Sequence, residues 1–373
     1  MTSSCFRKTF AFPTADKLSW FPGHMMRGMN KMQQVLKYVD CLFEVHDARI
    51  PFTGRNKTFK HRIGIKPRIL LLCKSDLADL SKTQKSLVRD RLMVEEDYKD
   101  VMFVNAKVDK DPVLRGLVAR AVEIVNSEDR YNREYVPDYR LMVCGIPNVG
   151  KSSVINAMRR IYMARKKHKA SEVGAKPGVT RALMERVKIV DYPPVFLYDT
   201  PGILPPSITN VETGLRLALY DYVKPSVEPE VIADYLLYEL NKHQVFNYVS
   251  FYGLLQPTDE ISIVLNKIAE DGNMKMTRRN HVTGNEVLND WCGASLRFLT
   301  QFRRGLLGNI PFNDIKGEMP VSEDKVYEAE QSYAPENNSL QSPTEHLESD
   351  SSNEQKVERR LIGNISHLIS SSV

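Results

Sequence analysis

The sequence predicts an α/β fold, a mostly parallel sheet built around a phosphate loop and followed by a small helical domain. Three observations carry that expectation. Apolar strand-like runs alternate with helical stretches over residues 41–198, a glycine-rich turn joins one such run to an amphipathic helix, and past Pro205 and Pro206 the apolar spacing is helical throughout.

The glycine-rich turn lies in RLMVCGIPNVGKSSVINA, Arg140 to Ala157. An apolar run, Leu141 to Cys144, ends in Gly145, and after four residues come Gly150, Lys151, Ser152 and Ser153 at the head of a helical pattern. This spacing suits phosphate. Glycines let backbone N–H groups close on the oxygens, the helix N-terminus adds partial positive charge, and a lysine reaches the β- and γ-phosphates. Asn148 and Val149 complete the loop, and Ser152 is the expected Mg²⁺ ligand.

Residues 1–19 hold Arg7 and Lys8 with no acid before Asp16, the composition of a short organelle-targeting segment. In SWFPGHMMRGMNKM a turn at Pro22 and Gly23 precedes a helical pattern from His24, whose stripe of Met25, Met29, Met32 and Leu36 reads as core packing. Strands are expected at Cys41 to Val45, Arg68 to Cys73, Val101 to Asn105 and Val195 to Tyr198, and a helix at Pro112 to Val125. Ile232, Tyr235, Leu236 and Leu240, then Ile261, Val264, Leu265 and Ile268, then Phe298, Phe302 and Leu306 keep helical spacing. The expected boundaries are a nucleotide-binding domain over 20–206, a helical RNA- or ribosome-binding domain over 207–312 and a disordered acidic tail over 313–373.

Charge is unevenly distributed. Residues 318–358 hold 11 acids and 2 bases, whereas residues 1–317 hold 48 bases and 35 acids. A basic body argues for an anionic partner, RNA ahead of a membrane surface, because no basic amphipathic helix is evident. No apolar run approaches the ~20 residues of a membrane span. The five cysteines show no metal-ligand spacing and read as reduced, buried thiols.

Further motifs select the nucleotide. Asp199-Thr-Pro-Gly202 follows the strand Val195 to Tyr198, placing a carboxylate for Mg²⁺ beside the loop and a glycine where backbone meets the γ-phosphate. Thr180 in KPGVTR lies between the two motifs, where a switch hydroxyl completes the Mg²⁺ shell. Upstream, LLLCKSDLAD sets Lys74 and Asp76 at a strand end. An Asp carboxylate accepts from guanine N1–H and N2–H₂, which adenine lacks, and the lysine stem covers the base face. Asn105-Ala106-Lys107, after the next strand, offers a backbone N–H to guanine O6. Together these predict GTP and GDP as ligands. The base motifs precede the phosphate loop, the reverse of the ordinary GTPase order, so the chain reads as a circular permutation whose switch runs directly into the helical domain.

With WFPGHM, VDCLFEVHDARIPFTGRN, GIPNVGKSS, KPGVTR, LYDTPGIL, VETGLRLAL, ADYLLYELNKHQ and FRRGLLG, spread over Trp20 to Gly308, the chain resembles the circularly permuted, YlqF-related GTPases, their mitochondrial ribosome-associated members above all. The resemblance implies a GTPase acting in large-subunit assembly of the mitochondrial ribosome, with its rRNA as partner, at the matrix side of the inner membrane and peripheral to it. It implies K⁺ held by Asn148 and a catalytic histidine at His24, beside Lys151 and Thr180. It also implies an asparagine where this chain has Cys73, a residue that contacts guanine N7 and ties the base loop to the phosphate loop. Ile203 stands where many GTPases orient water with glutamine, so intrinsic turnover is expected to be slow and partner-stimulated. The run Arg159, Arg160, Arg165, Lys166, Lys167 and Lys169 suits either a solvated face or RNA phosphate, and Arg278, Arg279, Arg297, Arg303 and Arg304 are equally open. The competing reading is a nucleotide-dependent ribosome-binding scaffold or translation regulator with incidental hydrolysis.

Overall fold

The computed structural model describes residues 6–11, 32, 34–55, 66–108, 111–130, 133–163, 186–199, 208, 210–223, 227–280 and 284–310. Met25, Met29, the basic run from 164 to 185 and the acidic tail lie outside them.

Six strands form the main sheet: β1 (Cys41–Asp47), β2 (Arg68–Cys73), β3 (Asp100–Phe103), β4 (Tyr139–Cys144), β5 (Arg186–Val190) and β6 (Val195–Asp199). Their spatial order is β3-β2-β1-β4-β6-β5, and every neighbouring pair is parallel except β5 against β6. Each predicted strand is present. The additional β5 is an edge strand with Arg186 and Lys188 exposed, so it lacks the apolar run that reveals a buried strand.

Helices α1 (Lys82–Glu96), α2 (Pro112–Asn126) and α3 (Lys151–Met163) connect and cover these strands. Local chemistry starts the first two. Ser81 and Gln84 form a reciprocal capping box on α1. Asp111 accepts from the Val113 and Leu114 amides at the head of α2, with Pro112 in the first turn. The alternation of β2 shows a sheet covered on both sides. Ile69 and Leu71 join the principal core, whereas Leu70 and Leu72 join a second core with Val88, Leu92 and Tyr98.

Beyond β6 come α4 (Val211–Leu219), α5 (Pro229–Lys242), α6 (Asn247–Phe251), α7 (Ile261–Asp271) and α8 (Trp291–Arg303). The principal core runs without a break from Phe43 in β1 to Leu215, Tyr235, Leu265, Phe298 and Phe302. Two expectations need correction. The region is not all helical, because β7 (Lys275–Asn280) and β8 (Gly284–Asn289) form an antiparallel hairpin between α7 and α8. Their polar sequences, KMTRRN and GNEVLN, carry neither apolar period clearly. Nor are all the cysteines buried: Cys41, Cys73 and Cys144 are, but Cys292 is exposed in the first turn of α8, away from the face that buries Ala294, Phe298 and Phe302.

The amino-terminal segment packs onto α5. Arg7 pairs with Asp234 at 2.8 Å and Asp259 at 3.1 Å, and Phe10 lies against the rings of Tyr235 and Tyr238. Residues 6–11 therefore make tertiary contacts within the stretch whose composition suggests targeting.

Candidate nucleotide-binding site

Parallel strands end at one edge, and in such sheets ligands bind beyond the carboxyl ends. Here β1 ends on Asp47, β2 on Cys73 before Lys74, β4 on Cys144 before Gly145, and β6 on Asp199; Asn105 follows two residues after β3. The topology thus brings base motifs and phosphate loop to the same edge.

Gly145 has φ +149°, and a Cβ there would drive into the Val45 carbonyl oxygen, so the loop admits only glycine. Gly150, at φ +113°, abuts Cys73: a Cβ on it would lie 3.7 Å from the Cys73 Cβ. Position 73 therefore lies beside the phosphate loop, with a thiol in place of the amide that the resemblance implies there. Val149 is buried beneath the loop, and Asn148 takes a left-handed φ of +59°. Lys151 folds back over the turn, its Nζ donating to the carbonyls of Gly145 at 3.0 Å and Ile146 at 2.7 Å. Burial lowers its pKa to about 8, opposed by Cys144 and Asp199.

A bound phosphate would stabilise the ammonium and raise that value, so binding takes up a proton wherever free Lys151 is neutral. GDP affinity should be flat below pH 8 and fall above it, approaching about tenfold per pH unit. Calorimetry in buffers of different ionisation enthalpy reads that uptake directly; equal apparent enthalpies at pH 9 would remove Lys151 as its source.

Ser152 and Ser153 are exposed on the first turn of α3, while Val154 and Ile155 point into the core. Asp199 pairs in register with Val143, placing its carboxylate on the strand next to the loop. These hard oxygen donors fit Mg²⁺, which takes one or two carboxylates or hydroxyls and otherwise phosphate and water. Among the described residues no group of three or more His, Cys, Asp or Glu could hold a metal unaided.

On the base side, Lys74 adopts φ +57°, and its ammonium lies 3.0 Å from Asp47 Oδ2 and 3.2 Å from the Tyr222 hydroxyl. Asp76 is exposed and lines a cleft of about 200 Å³ with Arg49, Leu77, Phe302, Gly305 and Asn309. Ala106 and Lys107 line a different cavity, of about 500 Å³, with Ser153, Asn156 and Arg160. The two loops are joined by the Ser75 amide donating to the Val104 carbonyl at 3.3 Å, yet Asp76 and Ala106, expected to meet one base, line different cavities. The segment after α8 lies against the base loop: Asn309 Nδ2 donates to the Ala78 carbonyl at 2.8 Å, and a Cβ on Gly305 would meet Leu77. The Asn105 side chain braces its own loop, its Oδ1 accepting from the Lys107 amide at 3.1 Å. His24, Thr180 and Gly202 lie outside the described residues.

Sequence reasoning missed Asp47 and Arg49. Asp47 is fully buried, and its carboxylate binds the Arg49 guanidinium at 2.8 and 3.0 Å, Lys74, and the Tyr222 hydroxyl. Burial would raise its pKa, but Arg49 and Lys74 outweigh it and hold the carboxylate well below the usual range. The signal was available, since Asp47 ends a buried strand as Asp199 does. Two arginines read as open surface charge have defined partners: Arg160 donates to the Ala106 carbonyl at 3.3 Å, and Arg303 to the carbonyls of Leu219 at 2.7 Å and Ala218 at 2.9 Å.

Residues 140–267 match the family described as 50S ribosome-binding GTPase, a match that begins at the phosphate-loop strand and leaves the base loop upstream of it. The chain is 45% identical over 311 residues to the mouse mitochondrial ribosome-associated GTPase 1, covering 82% of this chain and 93% of that protein. It is 44% identical over 313 residues to the bovine protein of the same name, covering 82% and 92%. It is also 44% identical over 319 residues to mitochondrial GTPase 1 of Aedes aegypti, covering 84% and 99%.

Proposed function

Because the chain belongs to the mitochondrial ribosome-associated GTPase 1 family and hydrolyses GTP, we propose that it is a mitochondrial assembly factor for the large ribosomal subunit, timed by its nucleotide. The observation that carries this reading is the similarity to proteins named ribosome-associated over more than nine-tenths of their length. The basic body, 48 bases against 35 acids over residues 1–317, supports an rRNA partner. The reading places the protein on the matrix side, peripheral to the inner membrane; no described helix is long and apolar enough to cross a membrane.

In this account Lys151 and the loop amides hold the β- and γ-phosphates, and Ser152, Thr180 and Asp199 would hold Mg²⁺, which would supply positive charge against the phosphates. Ser153 supports the phosphates at the head of α3, and Gly202 lets backbone reach the γ-phosphate. Asp76 selects guanine, Lys74 covers the base, and the Ala106 amide meets O6. Asn148 would hold K⁺, whose charge would offset that of the phosphates, and His24 acts once a particle orders its segment. A base loop upstream of the phosphate loop on one sheet edge supports the permuted arrangement, with residues 20–206 forming the GTPase domain and 207–312 the ribosome-binding domain.

Sedimentation of mitochondrial lysate tests the assignment. With a non-hydrolysable GTP analogue the protein should run with the large subunit, and with GDP near the top of the gradient. Equal distributions in both states would overturn the timing of that association by nucleotide.

A further inference from the structure

Two residues that follow α4 each hold one side chain of the nucleotide site. The Asn148 amide nitrogen donates to the Asp221 carbonyl at 2.7 Å and to Asp221 Oδ2 at 3.2 Å. Both partners only accept, so the nitrogen must face them, and the amide oxygen is the atom kept for a cation or donor. Tyr222 is buried; its hydroxyl accepts from Lys74 Nζ at 3.2 Å and donates to Asp47, while Lys74 Nζ stands 5.1 Å from its ring centroid.

We infer that Asp221 and Tyr222 are positioning residues for GTP hydrolysis: Asp221 fixes the Asn148 amide in the phosphate loop, and Tyr222, with Asp47, fixes the Lys74 ammonium over the base. One dipeptide thereby ties the phosphate loop to the base loop. Such a tether is needed here because Cys73, which a Cβ on Gly150 would meet at 3.7 Å, carries no amide with which to bond the phosphate loop. The dipeptide is itself held from the end of α8. Arg303 caps the carbonyls of Ala218 and Leu219, its Nη1 lies 3.8 Å from Asp221 Oδ1, and its own carbonyl accepts from Arg49 at 3.2 Å. Asp221 sits at φ +65°, a left-handed conformation that Asp tolerates at modest cost and glycine adopts freely, and this turn presents both its carbonyl and its carboxylate to Asn148.

This inference rests on placing Asn148 and Lys74 in the nucleotide site, and the test separates the two. Steady-state GTP hydrolysis, fluorescent-GDP affinity and thermal melting are measured on the full chain. Asp221→Gly keeps the carbonyl and relieves the strained φ, so its Tm should equal or exceed that of the parent while kcat falls by about threefold to tenfold. Asp221→Asn, which retains an acceptor, should recover most of that loss. Tyr222→Phe keeps the ring and should raise KM and the GDP Kd by about fivefold to tenfold, with kcat nearly unchanged. In an Asn148→Ala background Asp221→Gly should have no further effect, and likewise Tyr222→Phe in a Lys74→Ala background. If Asn148→Ala and Lys74→Ala impair the enzyme but Asp221→Gly and Tyr222→Phe do not, or if the paired losses simply add, the positioning role is wrong. If Asn148→Ala and Lys74→Ala are themselves silent, the site assignment falls and the inference with it.

Discussion

Lys151→Ala should lower GTP turnover by about two to three orders of magnitude, the usual cost of removing one preorganised positive donor from a transition state. Fold stability should barely change. The ammonium is buried against two carbonyls, and its desolvation offsets those hydrogen bonds, as its pKa of about 8 reflects. Single-turnover hydrolysis alongside a thermal melt checks both parts. A large drop in Tm would mean that Lys151 is mainly structural.

Asp47→Asn should have the largest effect on stability, about 3–5 kcal/mol by denaturant unfolding, because it leaves buried Arg49 and half-buried Lys74 without their shared counter-ion. GDP affinity should fall with it, since Lys74 loses its anchor. The charge also sets an acid limit. A carboxylate whose folded pKa is depressed contributes fully above its unfolded value, near ~4, and the contribution is lost as pH falls below that. The parent should therefore lose stability steeply below about pH 4, and Asp47→Asn less steeply. Parallel slopes would show that other carboxylates dominate.

Features legible in the sequence share a physical cause. Strands buried on both faces are rich in apolar residues, so CLFEVHD, RILLLC and YRLMVC announced themselves despite the buried Glu44, His46, Asp47 and Arg68, and so did a glycine turn that only glycine can make at Gly145. The edge strand β5 and the hairpin β7–β8 did not, because half-exposed strands tolerate polar residues. At the site, motifs pointed to residues expected to touch nucleotide, such as Lys74, Asp76 and Lys151, and strand ends bring their loops to one edge of the sheet. The residues that orient them were hidden. Tyr222 lies 148 positions from Lys74, and Asp221 lies 73 from Asn148, and nothing local in either segment signals the partner. Arg303 shows the converse: as sequence it is one more surface cation, yet it caps the end of α4.

The base loop upstream of the phosphate loop should serve the same nucleotide. Competition against fluorescent GDP, in the parent and in Asp76→Asn, tests it most directly. In the parent, GTP should displace the probe and ATP should not. In Asp76→Asn the preference should pass to xanthosine nucleotides, because the amide donates where the carboxylate accepted and xanthine presents a carbonyl in place of the 2-amino group. An Asp76→Asn protein that keeps its preference for GTP over XTP would contradict the account, for the base would then be read elsewhere.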